Sequence, residues 1–476
     1  MDNSTKKLLN GSMVYFLGTA MTQLMSLLLM RFVTGNITPE EYGFFNLVTT
    51  VSNLAIPFLT LQIADAVFKF VLKSETEDEK KTYFTICFVV SLISVGVIIA
   101  AVYLLSLFFD VPHTLLVGLY VASYALFGIY QKVIRCLNRN KVFAVGNVVK
   151  ITIFLALEIL LISIFDMGLE ALLLAHIISI VLFLVFAEVQ VHALRFFDLR
   201  ALRPRAFTSM LKFSVPLIPN AAFWWLTSSV NHVIVSARLG VDVNGIYSAS
   251  GKFSSALSLV TNVLNMSWQD TAIADYGKKD FSSFLTKTFN TYVKLIFSAI
   301  AVLVPFVAVV APYMLDPSYH GSIPFTPFLL LAAGTSTMSG FAAQIFAGKG
   351  KTNVLFTTSA IGMVANIAVI ALLVDKIGLW AAVFGSLTAD VLLFTIRTFM
   401  ARKEFAKGID YVGFAIIFAV IVISIYIYLN YSLITNLVWF GVTAIMAVIM
   451  NFEFIKNLLT LIFGRFFKKK DKVNAE

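Results

Sequence analysis

Charge and cysteine are scarce in this chain. Asp, Glu, Lys and Arg make up 13% of its 476 residues, and Cys87 and Cys136 are its 2 cysteines. So little charge cannot clothe a water-soluble globule, and two cysteines cannot build a disulfide framework. Long polar gaps are missing too. The longest stretch between apolar runs is 191–212, so no soluble domain is inserted between them. Catalytic signatures are equally absent: there is no His-Glu-x-x-His zinc site, no serine nucleophile elbow and no paired cysteine ligands. Gly350-Lys351-Thr352 has the last residues of a phosphate-binding loop, but Ile345 stands where that motif needs its first glycine. The sequence therefore predicts no enzyme, no cofactor and no metal site.

Apolar residues fill the chain instead, at 59% with 45 Phe. They gather into fourteen runs near 10–31, 43–68, 83–109, 113–134, 142–165, 168–190, 213–236, 243–268, 288–312, 325–346, 353–374, 377–399, 411–429 and 433–452. A helix rising about 1.5 Å per residue needs roughly 20 residues to cross a hydrocarbon core about 30 Å thick. The runs are too continuous for barrel strands, which alternate over about ten residues. An all-α, polytopic membrane protein with fourteen transmembrane helices is the expected class. Its formal net charge of +10 is spread between the spans rather than gathered into one patch, which excludes a nucleic-acid partner. If residue 1 is cytoplasmic, all but six of the 36 Lys and Arg fall in cytoplasmic gaps or their margins, Arg397 among them. Arg31, Arg238 and Lys376 lie outside, and Lys150, Lys252 and Lys294 lie within spans. That bias predicts a multi-pass protein of the cell membrane with both termini cytoplasmic. Lys6 and Lys7 precede the first run as in a secretory signal, but no small-residue cleavage site follows, so the run reads as a retained span.

An internal repeat is visible. Glu41-Tyr42-Gly43-Phe44-Phe45 and Val243-Asn244-Gly245-Ile246-Tyr247 align at an offset of 202, and Asn140-Lys141 and Gly350-Lys351 at 210. Parallel repeats about an axis along the membrane normal are expected. The organisation they predict is a six-helix bundle over 1–190, a basic cytoplasmic linker over 191–212, a second six-helix bundle over 213–400, and helices 13 and 14 with a basic tail over 401–476. Two such bundles imply a central cavity that opens alternately to either side. Pro57, Pro305, and the pair Pro216 and Pro219 each remove a backbone donor, and read either as packing kinks or as hinges. The linker, with four Arg and one Lys, and the tail to Lys472 read as solvated or lipid-facing amphipathic stretches.

Gly35-Asn36-Ile37-Thr38-Pro39-Glu40-Glu41-Tyr42-Gly43 resembles the signature after the first helix of the polysaccharide transporter branch of the multidrug/oligosaccharidyl-lipid/polysaccharide exporter superfamily. Phe213-Ser214-Val215-Pro216-Leu217-Ile218-Pro219-Asn220 is similar to that family's block at helix 7, and Leu239-Gly240 through Gly245-Ile246-Tyr247-Ser248 to the block that follows. The resemblance spans nearly the whole chain. It implies flipping of undecaprenyl-pyrophosphate-linked oligosaccharide repeat units from the inner to the outer leaflet, with membrane lipids and polysaccharide assembly proteins (a polymerase, glycosyltransferases) as partners. Where many members carry an Asp-Arg pair late in helix 7, this chain has Asn231-His232, so a charged role there does not transfer.

Such a substrate needs amides and aromatic faces for sugar, and Arg or Lys for pyrophosphate. Charges inside spans are the first candidates, because each is expensive in lipid. Lys252, about nine residues into span 8, is too deep to snorkel easily. Lys150 and Glu158 share a broad side of span 5 and read either as substrate contacts or as neutralisers of neighbours. Lys294 and Glu188 are near enough to the cytoplasmic face to snorkel. Asp65 and Lys69, four apart, fit an ion pair as well as they fit a substrate contact and ion coupling. Arg31 and Arg238 end spans 1 and 7 on the outer side, where they either receive pyrophosphate or complement helix dipoles. Asn220, Trp224, Ser228 and Asn231 give span 7 a candidate sugar strip, with an aromatic belt as the other reading, and His232 reads as a bundle histidine. Asp390 in span 12 is the candidate for ion coupling. A cation-coupled drug or small-molecule exporter of the same superfamily is the alternative function. A membrane-embedded polymerase would need a large outer loop, and the outer gaps are short.

Overall fold

The computed structural model describes residues 29–137, 139–276, 280–349, 351–406, 408–454 and 456. At a few helical positions, Asn220, Trp224 and Ser228 among them, the helix is described but the side chain is not. Among the described residues the regular elements are all helices. In the first part of the chain they are α1 Met30–Asn36, α2 Pro39–Leu59, α3 Ile63–Leu72, α4 Glu77–Ser106, α5 Thr114–Cys136, α6 Asn140–Phe165, α7 Leu169–Val191, α8 Pro204–Ser214 and α9 Ile218–Leu239. There follow α10 Val241–Asp275, α11 Phe281–Met314, α12 Thr326–Gly348, α13 Thr352–Ile377, α14 Trp380–Ala401, α15 Tyr411–Asn430 and α16 Leu433–Met450. The all-α membrane class is thus what the chain forms.

Among the described residues, 11 helices are long and apolar enough to cross a membrane. They account for every expected span except the first, seventh and eighth. The first, 10–31, lies almost wholly outside the described residues, as do the basic tail and Lys278 and Lys279. The seventh and eighth are α9 and α10, of 22 and 35 residues. They have the length to cross but are more polar than the rest.

Local chemistry sets where helices begin. Thr38 and Glu41 form a reciprocal capping box at α2, with Pro39 in the first turn where its missing N–H costs no bond. Thr76 caps α4 and Asp410 caps α15 in the same spirit. The second span is broken. Beyond Pro57, Leu61 and Gln62 take left-handed conformations at φ 52° and 50°, separating α2 from α3. The break leaves polar groups that lipid cannot satisfy, and the protein meets them: Gln62 N–H donates to Pro57 O at 3.0 Å, and Ser94 of α4 donates to Leu59 O at 2.9 Å. Pro216 and Pro219 sit where α8 passes through a 3₁₀ turn, Val215–Leu217, into α9. α11 stays one helix through Pro305.

Packing divides the chain into two compact units, Met1–Ser248 and Ala249–Glu476. The boundary falls within α10, so α9 packs with the earlier helices, a division different from the repeat-based halves. In the first unit, Ile63, Phe84, Ile134, Phe183 and Met210 belong to one core that joins α3, α4, α5, α7 and α8. The 191–212 stretch is therefore not a loose linker. Phe196 stacks on Phe84 at 5.1 Å, Glu188 accepts Leu194 N–H at 2.9 Å, and Met210 of amphipathic α8 is fully buried. Exposed apolar side chains such as Leu92 (75%) and Phe108 (81%) would be liabilities in water and are at ease in hydrocarbon.

In the second unit, Thr261, Asn265 and Trp268 of α10 face α12. Thr337 donates to Thr261 Oγ1 at 3.0 Å, and Trp268 donates to Phe341 O while stacking on the Phe341 ring at 4.4 Å. α15 and α16 pack on α11, where Ser424 meets Ala301 O and Asn451 meets Ser298. The loop into α15 lies along one stripe of α11 made of Ser282, Thr286, Asn290 and Lys294, each four residues apart. They bond in turn to Glu404 O, Ala406 N–H, Gly408 O and the Asp410 carboxylate. Lys294 thus has an ion-pair partner at 2.7 Å rather than simply snorkelling.

The repeat recurs in local geometry. Thr85 of α4 holds the loop after the sixth span through Phe196 O and Asp198 N–H, and Thr286, 201 positions on, holds the loop after the twelfth. Arg139 and Lys351 precede α6 and α13 with matching dihedrals (φ −91°, ψ 49° and 58°), each N–H reaching the carbonyl five residues back. The structural counterpart of Lys351 is therefore Arg139 and not Lys141. The turn repeats, and the shared lysine is incidental.

The Lys294 ammonium, followed by the Gly413 N–H, holds the Asp410 carboxyl below its usual range. A depressed carboxyl stabilises the fold above its unfolded pKa of about 3.9 and ceases to do so as pH falls through its folded value. With the two side chains 31% and 35% exposed, Asp410→Asn should cost at most about 1 kcal/mol at neutral pH. Thermal unfolding in detergent should show that difference closing in acid.

Candidate functional site

α9 meets the starts of α2 and α10 in a close polar seam. A Cβ on Gly43 would overlap the Val241 carbonyl oxygen, and one on Gly245 would overlap the Pro39 carbonyl oxygen. Both pairings join positions that the 202-residue offset makes equivalent, so the contact is reciprocal, as between copies across a two-fold. Only glycine allows backbones this close. Around the seam, Asn244 donates to Gly43 O at 3.0 Å and meets His232 Nδ1 at 2.8 Å, while His232 lies against the Tyr247 ring at 5.0 Å. Asn231, 6% exposed, donates to Tyr247 Oη at 3.2 Å, and Trp225 donates to Thr50 O at 2.6 Å. Thus Asn231 and His232, side by side on α9, are tied into the hydrogen bonds of the seam.

The other candidates separate. Asp65 does not pair with Lys69. It accepts Lys132 of α5 at 2.6 Å and Gln62 at 2.7 Å, because the broken second span turns its carboxylate towards α5. Lys69 instead lies 3.7 Å above the Phe213 ring. Lys150 sits over the Phe127 ring at 4.7 Å, with no carboxylate at ion-pair distance among the described residues. Glu158, two turns along, is 5% exposed. Glu188 accepts from Tyr130 and Leu194 and serves the loop after α7. Arg31 and Arg238 are exposed at the ends of α1 and α9, and Lys252 is half-buried in α10. Asn220 and Trp224 have side chains outside the described residues.

Asp390 lies near Ser336 and senses the charge of Arg397, two turns along α14. Arg397 belongs inside the protein rather than among free cytoplasmic charges. It is 7% exposed and donates to Thr358 Oγ1 at 3.0 Å, Ser339 Oγ at 2.8 Å and Ser359 Oγ at 2.8 Å. Its fork ties α12, α13 and α14 together, a role that only a planar, five-donor group fills. The sequence signal was the seven-residue spacing from Asp390, which puts both on one helix face. On the same end of this unit, burial works against charge on Lys349, but its hydrogen bond to Glu404 outweighs that and raises its pKa.

Gly43→Ala and Gly245→Ala should each destabilise by about 1–3 kcal/mol through overpacking. Gly96, with no atom within 4 Å of its would-be Cβ, should accept alanine without loss. Arg397→Lys leaves buried hydroxyls without their donor and should cost about 1–3 kcal/mol. Unfolding midpoints of the four purified variants read these effects.

Residues 8–268 match the sequence profile of the polysaccharide biosynthesis protein family. No curated relative matches this sequence. Among solved structures, the lipid II flippase MurJ in an inward closed conformation superposes with a TM-score of 0.68 at 14% identity, over 95% of this chain and 100% of that one. An inward-facing multidrug resistance MATE family transporter of the MOP superfamily gives 0.64 at 13% identity, over 81% and 98%. The Vibrio cholerae MATE transporter VcmN in its bent form gives 0.53 at 16%, over 85% and 98%. These likenesses fix the fold, which is the one those solved structures share, and the profile covers more than half the sequence: the chain belongs to the polysaccharide biosynthesis protein family.

Proposed function

We propose that this protein is a flippase carrying undecaprenyl-pyrophosphate-linked oligosaccharide units from the inner to the outer leaflet by alternating access. The observation that carries the reading is the polarity of α9 and α10, long helices that fall short of the apolarity of the other spans. A helix of that kind belongs beside a wet path and not beside acyl chains. In this reading Asn220, Trp224 and Asn231 contact sugar, while Arg31, Lys69, Lys150, Arg238 and Lys252 serve the pyrophosphate in turn. The two repeat-related halves, 1–190 and 213–400, rock about the path, and 401–476 accompanies the second.

The membrane potential could supply drive, since one negative charge moved outward gains about 2.3 kcal/mol per 100 mV. Asp65 and Asp390 are the alternative coupling groups. Partners in this reading are the lipid-linked glycan, the surrounding lipids, and the polymerase and glycosyltransferases of one assembly line in the cell membrane.

Deleting the protein should leave a lipid-linked glycan accumulating on the inner leaflet. Drug sensitivity with no such accumulation would instead assign a small-molecule exporter. Lys252→Ala should slow transport by about tenfold at normal expression, the loss of one charge-assisted contact. Unchanged transport would remove Lys252 from the path.

A further inference from the structure

Adjoining faces of α5 and α6 carry a strip that none of these assignments covers as a unit. On α5, Phe127, Gln131 and Arg135 recur every four residues. On α6, Phe143, Asn147 and Lys150 recur at four and three, so each trio lines one helix face. They meet as three rungs. The Arg135 guanidinium lies over Phe143 at 5.9 Å, Gln131 donates to Asn147 Oδ1 at 2.9 Å, and the Lys150 ammonium lies over Phe127 at 4.7 Å. The cation is on α5 in the first rung and on α6 in the last, with amides between. Seven residues of helix separate the Phe143 and Lys150 levels, roughly 10 Å. Phe183 backs the deepest rung, packed edge-on against Phe127 at 4.8 Å.

Charge balance marks this strip, as it marks Lys69 over Phe213. Lys132 has Asp65, Lys294 has Asp410 and Lys349 has Glu404. Arg135 and Lys150 rest on rings, with no carboxylate at ion-pair distance among the described residues. A ring face supports a cation but carries no countercharge; Arg135 is exposed at the end of α5, whereas Lys150 is half-buried within a span, where a cation is costly without one. Between the two cations, Gln131 keeps its Oε1 and one N–H unused among the described residues, so hydroxyl or phosphate oxygens find partners there as well.

We propose that the strip is a binding site for a phosphate or diphosphate head group, which meets Arg135 at the basic end of α5 and reaches Lys150 deeper in the membrane. As the diphosphate of a lipid-linked glycan, that ligand deepens the flippase reading and rests on it; as a phospholipid head group it does not.

The test uses the full-length protein in nanodiscs of zwitterionic lipid with inorganic pyrophosphate as the probe. Lys150→Gln and Arg135→Gln should each weaken binding by about tenfold or more, the loss of a charge-assisted contact. Lys150→Arg should restore it, and Lys73→Gln, at an exposed lysine outside the strip, should leave it unchanged. Binding by Lys150→Gln at wild-type strength, with an unchanged unfolding midpoint, overturns the site. Competition arms name the source. Displacement by a short prenyl pyrophosphate but not by phosphatidylglycerol supports the lipid-linked cargo, and equal displacement supports bulk head groups in the same site. Flipping of a lipid-linked glycan is measured separately in vesicles. No flipping by the wild type, with pyrophosphate binding still dependent on Lys150, sinks the transport reading and keeps the site.

Discussion

Inside hydrocarbon a polar group has only the protein to satisfy it, and that constraint organises this molecule. Serine and threonine hydroxyls turn back to carbonyls of their own helices, as Thr49, Ser52 and Ser248 do. Asparagines bridge helices or fold onto their own turn. Cations divide by what holds them: a carboxylate for Lys132 and Lys294, a cage of hydroxyls for Arg397, a phenyl ring for Lys69 and Lys150. The first two arrangements are complete as they stand. The third stabilises a charge without neutralising it, and so leaves a role for a ligand.

The same constraint explains where the backbone departs from regular helix. The second span breaks at Leu61 and Gln62, and Ser94 takes up a carbonyl near the break. The break aims Asp65 at α5, which gives Lys132 its partner and leaves Lys69 to Phe213. The glycine seam is the opposite case. There two backbones approach so closely that no side chain fits between them, and the polar groups of Asn244 and His232 close around the contact. Since the two glycines occupy equivalent places in the repeat, one contact serves both copies.

Much of this architecture was legible in the chain. Fourteen apolar runs and the alternation of Lys and Arg gave the class, and the paired Gly43 and Gly245 motifs gave the repeat. The particular partners were not legible. Four-residue spacing suggested that Asp65 would hold Lys69, but spacing along one helix says nothing of a lysine arriving from another. Arg397 looked like a cytoplasmic charge because hydropathy averages over a window and cannot register three hydroxyls on neighbouring helices. The 191–212 stretch read as a linker because its arginines hide Phe196 and Met210, which a core elsewhere in the chain receives.

By itself, then, the sequence determined which stretches are apolar and long enough to sit in lipid, because transfer free energy and helix length act residue by residue. Tertiary structure alone decided which charge meets a carboxylate, which a hydroxyl and which a ring. Those outcomes depend on distances of a few ångströms between segments remote in sequence, and no local pattern encodes them.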